Sequence, residues 1–243
     1  MNWRLALLLT LLAAPGPLAM SWLALPALID PAALPVPLET LQIVSAVQGI
    51  GLAALAAVLG TWLAHRVGLR APASAALFDR ESAIDALLPQ LLPGLLGGLA
   101  GAGIVLAFHA FRPAAMAAGT DPSILPIAAR VLYGGVTEEI LIRWGLMSCI
   151  VWGAWRLFQH GRGAVSTTWM LLGIVLSALV FGLAHLPVVA TAVGPLPASA
   201  AAYVTLANAA FGLVAGYLFW RHGLEAAIIA HVTAHLLAWV LGG

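Results

Sequence analysis

The chain has 243 residues, 63% of them hydrophobic and only 8% charged, with a mean hydropathy of +1.04. Soluble domains carry about 25% charged residues, so a chain this poor in charge has too little polar surface to face water, and an all-α polytopic membrane bundle is expected. A formal net charge of +1 argues against nucleic acid or any other polyanion as partner, and the single cysteine, Cys149, excludes an internal disulfide and a cysteine-only metal cluster.

Seven hydrophobic spans are expected. The first, residues 5–29, follows Arg4 and resembles a signal peptide at its start. It runs on for ~25 apolar residues without an A-x-A site, so it reads as an uncleaved helix kinked at Pro15, Pro17 and Pro26. A Pro-rich link, 30–39, leads to the second span, 41–64. Residues 65–90 are the longest polar stretch, and Ala76, Leu77, Ile84, Leu87 and Leu88 predict a short helix on the membrane surface there. The third span, 91–111, carries Gly94, Gly97, Gly98, Gly101 and Gly103, which lets a neighbour approach closely. A phosphate loop would need a G-K-[ST] ending, and the chain has no lysine.

The fourth span, 126–158, would be roughly 48 Å long at 1.5 Å per residue, too long for one straight crossing. It must tilt, project or break near Gly134-Gly135. The fifth span is 166–186, ending near Pro187; the sixth is 198–220 and the seventh 224–241. With seven spans, Arg4, Arg66, Arg70, Arg80, Arg156, Arg162 and Arg221 share one side, against Arg112 and Arg130 on the other. The positive-inside rule then puts the N-terminus in the cytoplasm.

Three charged residues cluster within the stretch 134–144 of the fourth span: Glu138, Glu139 and Arg143. A charge at the bilayer centre costs about 2.5–3.5 kcal/mol on insertion scales, so each needs a partner. Glu139 and Arg143 are i,i+4 neighbours with the acid N-terminal, the better orientation for an ion pair. Glu138 points about 100° away and stays free, as a general base requires. The imidazoles in later spans are the candidate partners: His185, then His231 and His235, which share one helix face. A His pair at i,i+4 is also a metal clip, although Val232 stands where a soluble H-E-x-x-H protease has its glutamate. By contrast His65, His160 and His222 fall in polar turns, His109 reads as interfacial, and Glu225 suits the N-terminus of the last helix.

The order Glu138-Glu139-x-x-x-Arg143, Phe181-x-x-x-His185, His231-x-x-x-His235 resembles the CPBP family, which includes type II CAAX prenyl endopeptidases and the Abi, or bacteriocin-processing, membrane proteases. The resemblance covers the last half of the chain. It divides the protein into residues 1–125, three helices with a cytoplasmic loop, and residues 126–243, a catalytic core. One position departs from the pattern: His235 stands where the family commonly has Asn.

The resemblance implies an intramembrane endopeptidase in a bacterial inner membrane, acting on a peptide or protein that is membrane-associated or lipidated. Glu138, helped by His185, would activate a water; His231 and His235 would donate to the oxyanion; Glu139 with Arg143 would orient Glu138. Family members have been described both as metalloproteases and as metal-free glutamate proteases. Glu138, His185, His231 and His235 form a donor set competent for Zn²⁺ or another divalent metal ion. Two other classes compete. An ion transporter would continue its polar residues toward both membrane faces. A non-catalytic immunity or scaffold protein of the same fold would tolerate loss of Glu138.

Overall fold

The computed structural model describes residues 2–79, 81–113 and 125–242. Among them seven helices are long and apolar enough to cross a membrane, as the hydropathy predicts: α1 Trp3–Leu28, α2 Leu38–Val67, α3 Ala83–Ala110, α4 Ile127–Phe158, α5 Thr167–Thr191, α6 Ala198–Arg221 and α7 Leu224–Leu241. The protein is an all-α membrane bundle that exposes many large apolar side chains, chiefly Leu, Val, Ile and Trp, as a lipid-facing surface would.

Three boundaries differ from the sequence reading. Helix α3 starts at Ala83, capped by the Ser82 hydroxyl on the Asp85 amide, so Ile84, Leu87 and Leu88 belong to a spanning helix. Only Pro72–Ala76 forms the short helix outside it. Residues 83–90 belong to the polar stretch by sequence because Asp85 and Gln90 interrupt their apolar run. Gln90 is in fact buried, and its side chain accepts from the Ala226 amide at 3.1 Å, tying α3 to the first turn of α7. Helix α5 does not stop before Pro187 but turns at His185 and continues as Leu186–Val193. Proline at the second position of that segment lacks only an amide that would go unpaired anyway.

Helix α4 sits at the centre, and small residues mark its crossings. Gly16 of α1 lies against Thr137, Gly60 of α2 against Trp144, Ala56 of α2 against Gly145, and Gly134 and Gly135 against His235 and Val232 of α7. The Thr137 hydroxyl is fully buried and donates to the Ala13 carbonyl at 2.7 Å, which fastens α4 to α1. The glycines of α3 serve the same end within the chain: Gly94 and Gly98 face Ile229 and Thr233 of α7, and Gly101 faces Phe211 of α6. Close backbone approach replaces the hydrophobic drive that lipid does not supply.

The α5–α6 crossing yields the first prediction. A Cβ on Gly182 would run into the Thr205 backbone at its carbonyl. Backbone cannot swing aside as a side chain can. Gly182→Ala should therefore cost about 1–3 kcal/mol as overpacking and lower the thermal midpoint in detergent. An unchanged midpoint would show that the two helices are not held at this spacing.

Candidate active site

The fourth helix winds wider over its middle. From Arg130 to Thr137 and again from Glu139 to Met147 it is π-helical, with i→i+5 hydrogen bonds in place of i→i+4. A wider turn advances less per residue, and the helix runs through Gly134-Gly135 without a break. π turns usually occur singly and often at functional sites. At their junction the Glu138 amide bonds back to the Tyr133 carbonyl, which stacks Tyr133 one turn below Glu138.

The two adjacent glutamates have separate surroundings. Glu139 is wholly enclosed, with 0% of its side chain exposed, as is Arg143. Arg143 Nε lies 3.2 Å from Glu139 Oε2, an ion pair without hydrogen-bond alignment. The guanidinium rests over the Phe181 ring at 4.8 Å, so an aromatic face carries part of its charge. The other oxygen, Glu139 Oε1, accepts from His231 Nδ1 at 2.8 Å. One carboxylate thus holds α4 to its own arginine and to α7. A charge-assisted bond of this kind contributes about 1.5–3 kcal/mol.

Glu138 has no such partner. Its side chain is 17% exposed and faces His185, 28% exposed, with Glu138 Oε1 and His185 Nε2 4.0 Å apart. That gap is too wide for a hydrogen bond. The His185 tautomer follows from its other nitrogen: Nδ1 lies 2.8 Å from the Phe181 carbonyl, which can only accept, so Nδ1 carries the hydrogen. Neutral His185 therefore turns an unprotonated Nε2 toward a carboxylate, two acceptors facing one another across a gap.

His231 obeys the same logic. With Nδ1–H on Glu139 its Nε2 is an acceptor while the ring is neutral, and it donates only as the imidazolium, which Glu139 would stabilise from behind. His235 stacks on His231 with ring centroids 4.8 Å apart. It makes no hydrogen bond to a described residue, so either nitrogen can carry its proton. Gly134 makes room for it, since a Cβ there would strike the His235 ring at Nε2.

All six expected site residues are thus brought to one region where α4, α5 and α7 meet. Their roles as metal ligands are a different matter. Two imidazoles have Nδ1 committed to Phe181 and Glu139, which leaves each Nε2 lone pair open to a ligand, so the fit turns on how the donors are grouped. Among the described residues no group of three or more His, Cys, Asp or Glu lies close enough to hold a metal ion. As placed, the residues do not fit one, and no step below is routed through a metal.

Residues 120–237 match the family described as type II CAAX prenyl endopeptidase Rce1-like. The chain carries an Rce1-like domain. No curated protein and no solved structure matches the chain significantly. The seven apolar helices make this an integral membrane protein, and residues 120–237 are similar to a family of membrane proteases.

Several contributors to the candidate site escape a reading of the sequence alone. Phe181 was visible only as a motif position; here it is packed against Arg143, His185 and His231 at once. Phe211 of α6 backs His231 at 4.5 Å, and nothing in its surrounding sequence marks it. The Thr137 anchor had a signal, a lone hydroxyl beside the charged cluster in an apolar span.

Proposed function

We propose that this Rce1-like protein is an intramembrane endopeptidase in which Glu138 and His185 activate a water. The observation that carries the reading is the unequal state of the two glutamates. Glu139 is spent on Arg143 and His231, while Glu138 is free and faces an imidazole acceptor at 4.0 Å. A water between the two can donate one O–H to each and turn its lone pair outward.

The chemistry then balances among the chain's own residues. Glu138 takes a proton as the water oxygen bonds to the peptide carbonyl carbon. The oxyanion accepts from His235, and from His231 when that ring is protonated against Glu139. Collapse breaks the C–N bond, and the proton on Glu138 passes to the leaving amine. Glu139 and Arg143 touch no reacting atom; they position His231 and hold α4. We infer from the arginine asymmetry, Arg4, Arg66, Arg70, Arg80, Arg156, Arg162 and Arg221 against Arg112 and Arg130, that the N-terminus is cytoplasmic. By family resemblance the membrane is a bacterial inner membrane. Its substrates are membrane-associated or lipidated peptides.

The test is cleavage of a quenched peptide library and of a farnesylated C-terminal peptide in liposomes, by wild type, Glu138→Ala and His231→Ala, each first shown to melt cooperatively. Cleavage by the wild type alone, unchanged by a chelator, is the expected result. Cleavage that survives Glu138→Ala would overturn the mechanism. Loss on chelation, restored by zinc, would move the water onto a metal.

A further inference from the structure

The chain encloses a cavity of about 460 Å³ that none of the six candidate site residues lines. It lies at the end of the bundle where α1 begins, α2 ends and α3 begins. Its floor is apolar, with Leu5, Leu69 and the Trp144 indole buried there. Its rim is charged, with Arg70 on one part and the carboxylates of Asp79 and Glu81 on another, all three exposed. Both signs line one space, yet among the described residues none of the three enters an ion pair. Each is therefore open to a ligand. The wall that carries Arg70 is fixed. The Leu224 amide of α7 donates to the Arg70 carbonyl at 3.0 Å, and the Ser74 amide donates to Glu225 Oε1 at 2.8 Å. A preformed space of this size, mostly apolar with a few placed polar groups, is ordinary for an organic ligand. Its depth says which kind. Next to the lining residues Asn2 and Thr61 stand exposed Trp3 and Trp62, under the Arg4 and Arg66 guanidinium groups at 5.7 and 4.7 Å. Exposed tryptophans flanked by arginines mark the membrane–water interface, so the rim lies at the level of lipid headgroups.

We propose that this cavity binds a phospholipid whose headgroup carries a phosphate and a primary ammonium, as phosphatidylethanolamine does. Arg70 takes the phosphate, which its planar fork matches bidentately. Asp79 and Glu81 accept from the ammonium, whose three N–H groups can serve both carboxylates. The glycerol and the upper part of the chains lie against Leu5, Leu69 and Trp144. An anionic headgroup brings nothing for the two carboxylates. A quaternary ammonium has no N–H to give, and the lining offers it one aromatic ring, Trp144, where such cations take a cage. The site stands apart from the endopeptidase reading, because none of its groups takes part in the chemistry at Glu138.

The experiment titrates the full chain in a non-ionic detergent with phosphatidylethanolamine, phosphatidylcholine and phosphatidylglycerol of the same acyl chains, and with chain-free glycerophosphoethanolamine. Bound lipid is counted by native mass spectrometry. The proteins are wild type, Arg70→Gln, the double variant Asp79→Asn with Glu81→Gln, and Ala75→Phe, which fills the cavity without touching a charge. Each is first shown to melt cooperatively. The wild type should bind phosphatidylethanolamine about tenfold more tightly than either other lipid, and glycerophosphoethanolamine more weakly than the lipid. The double variant should lose the preference over phosphatidylcholine. Arg70→Gln should weaken all three lipids, and Ala75→Phe should abolish the one tight site. Equal affinity of the wild type for the three lipids, or a preference that survives the double variant, overturns the proposal. Chain-free glycerophosphoethanolamine binding as tightly as the lipid would make the ligand a soluble phosphoamine and overturn the lipid assignment. The charge variants decide the matter if Ala75→Phe does not fold, since their side chains are exposed.

Discussion

Glu138→Gln should abolish turnover by about 10²–10⁴-fold while leaving the thermal midpoint close to wild type. The amide has nearly the carboxylate's shape and cannot take a proton from water at neutral pH. Nothing structural depends on the charge it replaces. Glu138 is 17% exposed, faces His185 across 4.0 Å, and is not part of the Arg143 pair. Surface-like substitutions of this kind usually change stability by about 0.5 kcal/mol or less. The check is kcat at saturating peptide beside a melting curve in the same detergent. A large fall in the midpoint would mean that Glu138, like its neighbour, is a packing group.

Arg143→Leu should have the opposite signature. It leaves Glu139 enclosed without its cation, and breaking a buried pair from one side costs about 3–5 kcal/mol. The packing over Phe181 goes with it. The fall in midpoint should therefore be the largest of any substitution at the site, with a loss of folded yield. Removing both charges, Arg143→Leu with Glu139→Leu, should recover much of the stability, because well-packed apolar residues often replace a buried pair without loss. Activity should not return. His231 would still lack the acceptor that Glu139 Oε1 provides at 2.8 Å. A double variant no more stable than Arg143→Leu alone would show that the pair is not the unit described here.

The helix count was legible because lipid demands a length and an apolar composition that hydropathy reads directly. The Glu139–Arg143 pair was legible because four residues along a helix is a local distance. Gln90 shows where this fails. A buried amide that caps a distant helix has the same letter as one in a loop, and so α3 was started too late. The contact between Glu139 and His231 spans 92 residues of chain, and no spacing rule reaches that far. Family resemblance placed both residues in one site, but not in one hydrogen bond. That bond alters His231's part, since it makes donation depend on a second proton. The π winding was hidden too: sequence showed that α4 was too long for one crossing, while the choice of a wider turn over a break depends on how α1, α2 and α7 pack around it.

The claim at the centre is that two adjacent glutamates divide the work, Glu138 in chemistry and Glu139 in positioning. The most direct test is the pair of values, turnover and thermal midpoint, for Glu138→Gln and Glu139→Gln measured side by side. The account predicts that Glu138→Gln loses turnover at full stability, and that Glu139→Gln loses stability by a clear margin. Equal losses in both quantities for both variants, or a Glu138→Gln protein that still cleaves while Glu139→Gln is folded and inactive, would contradict it.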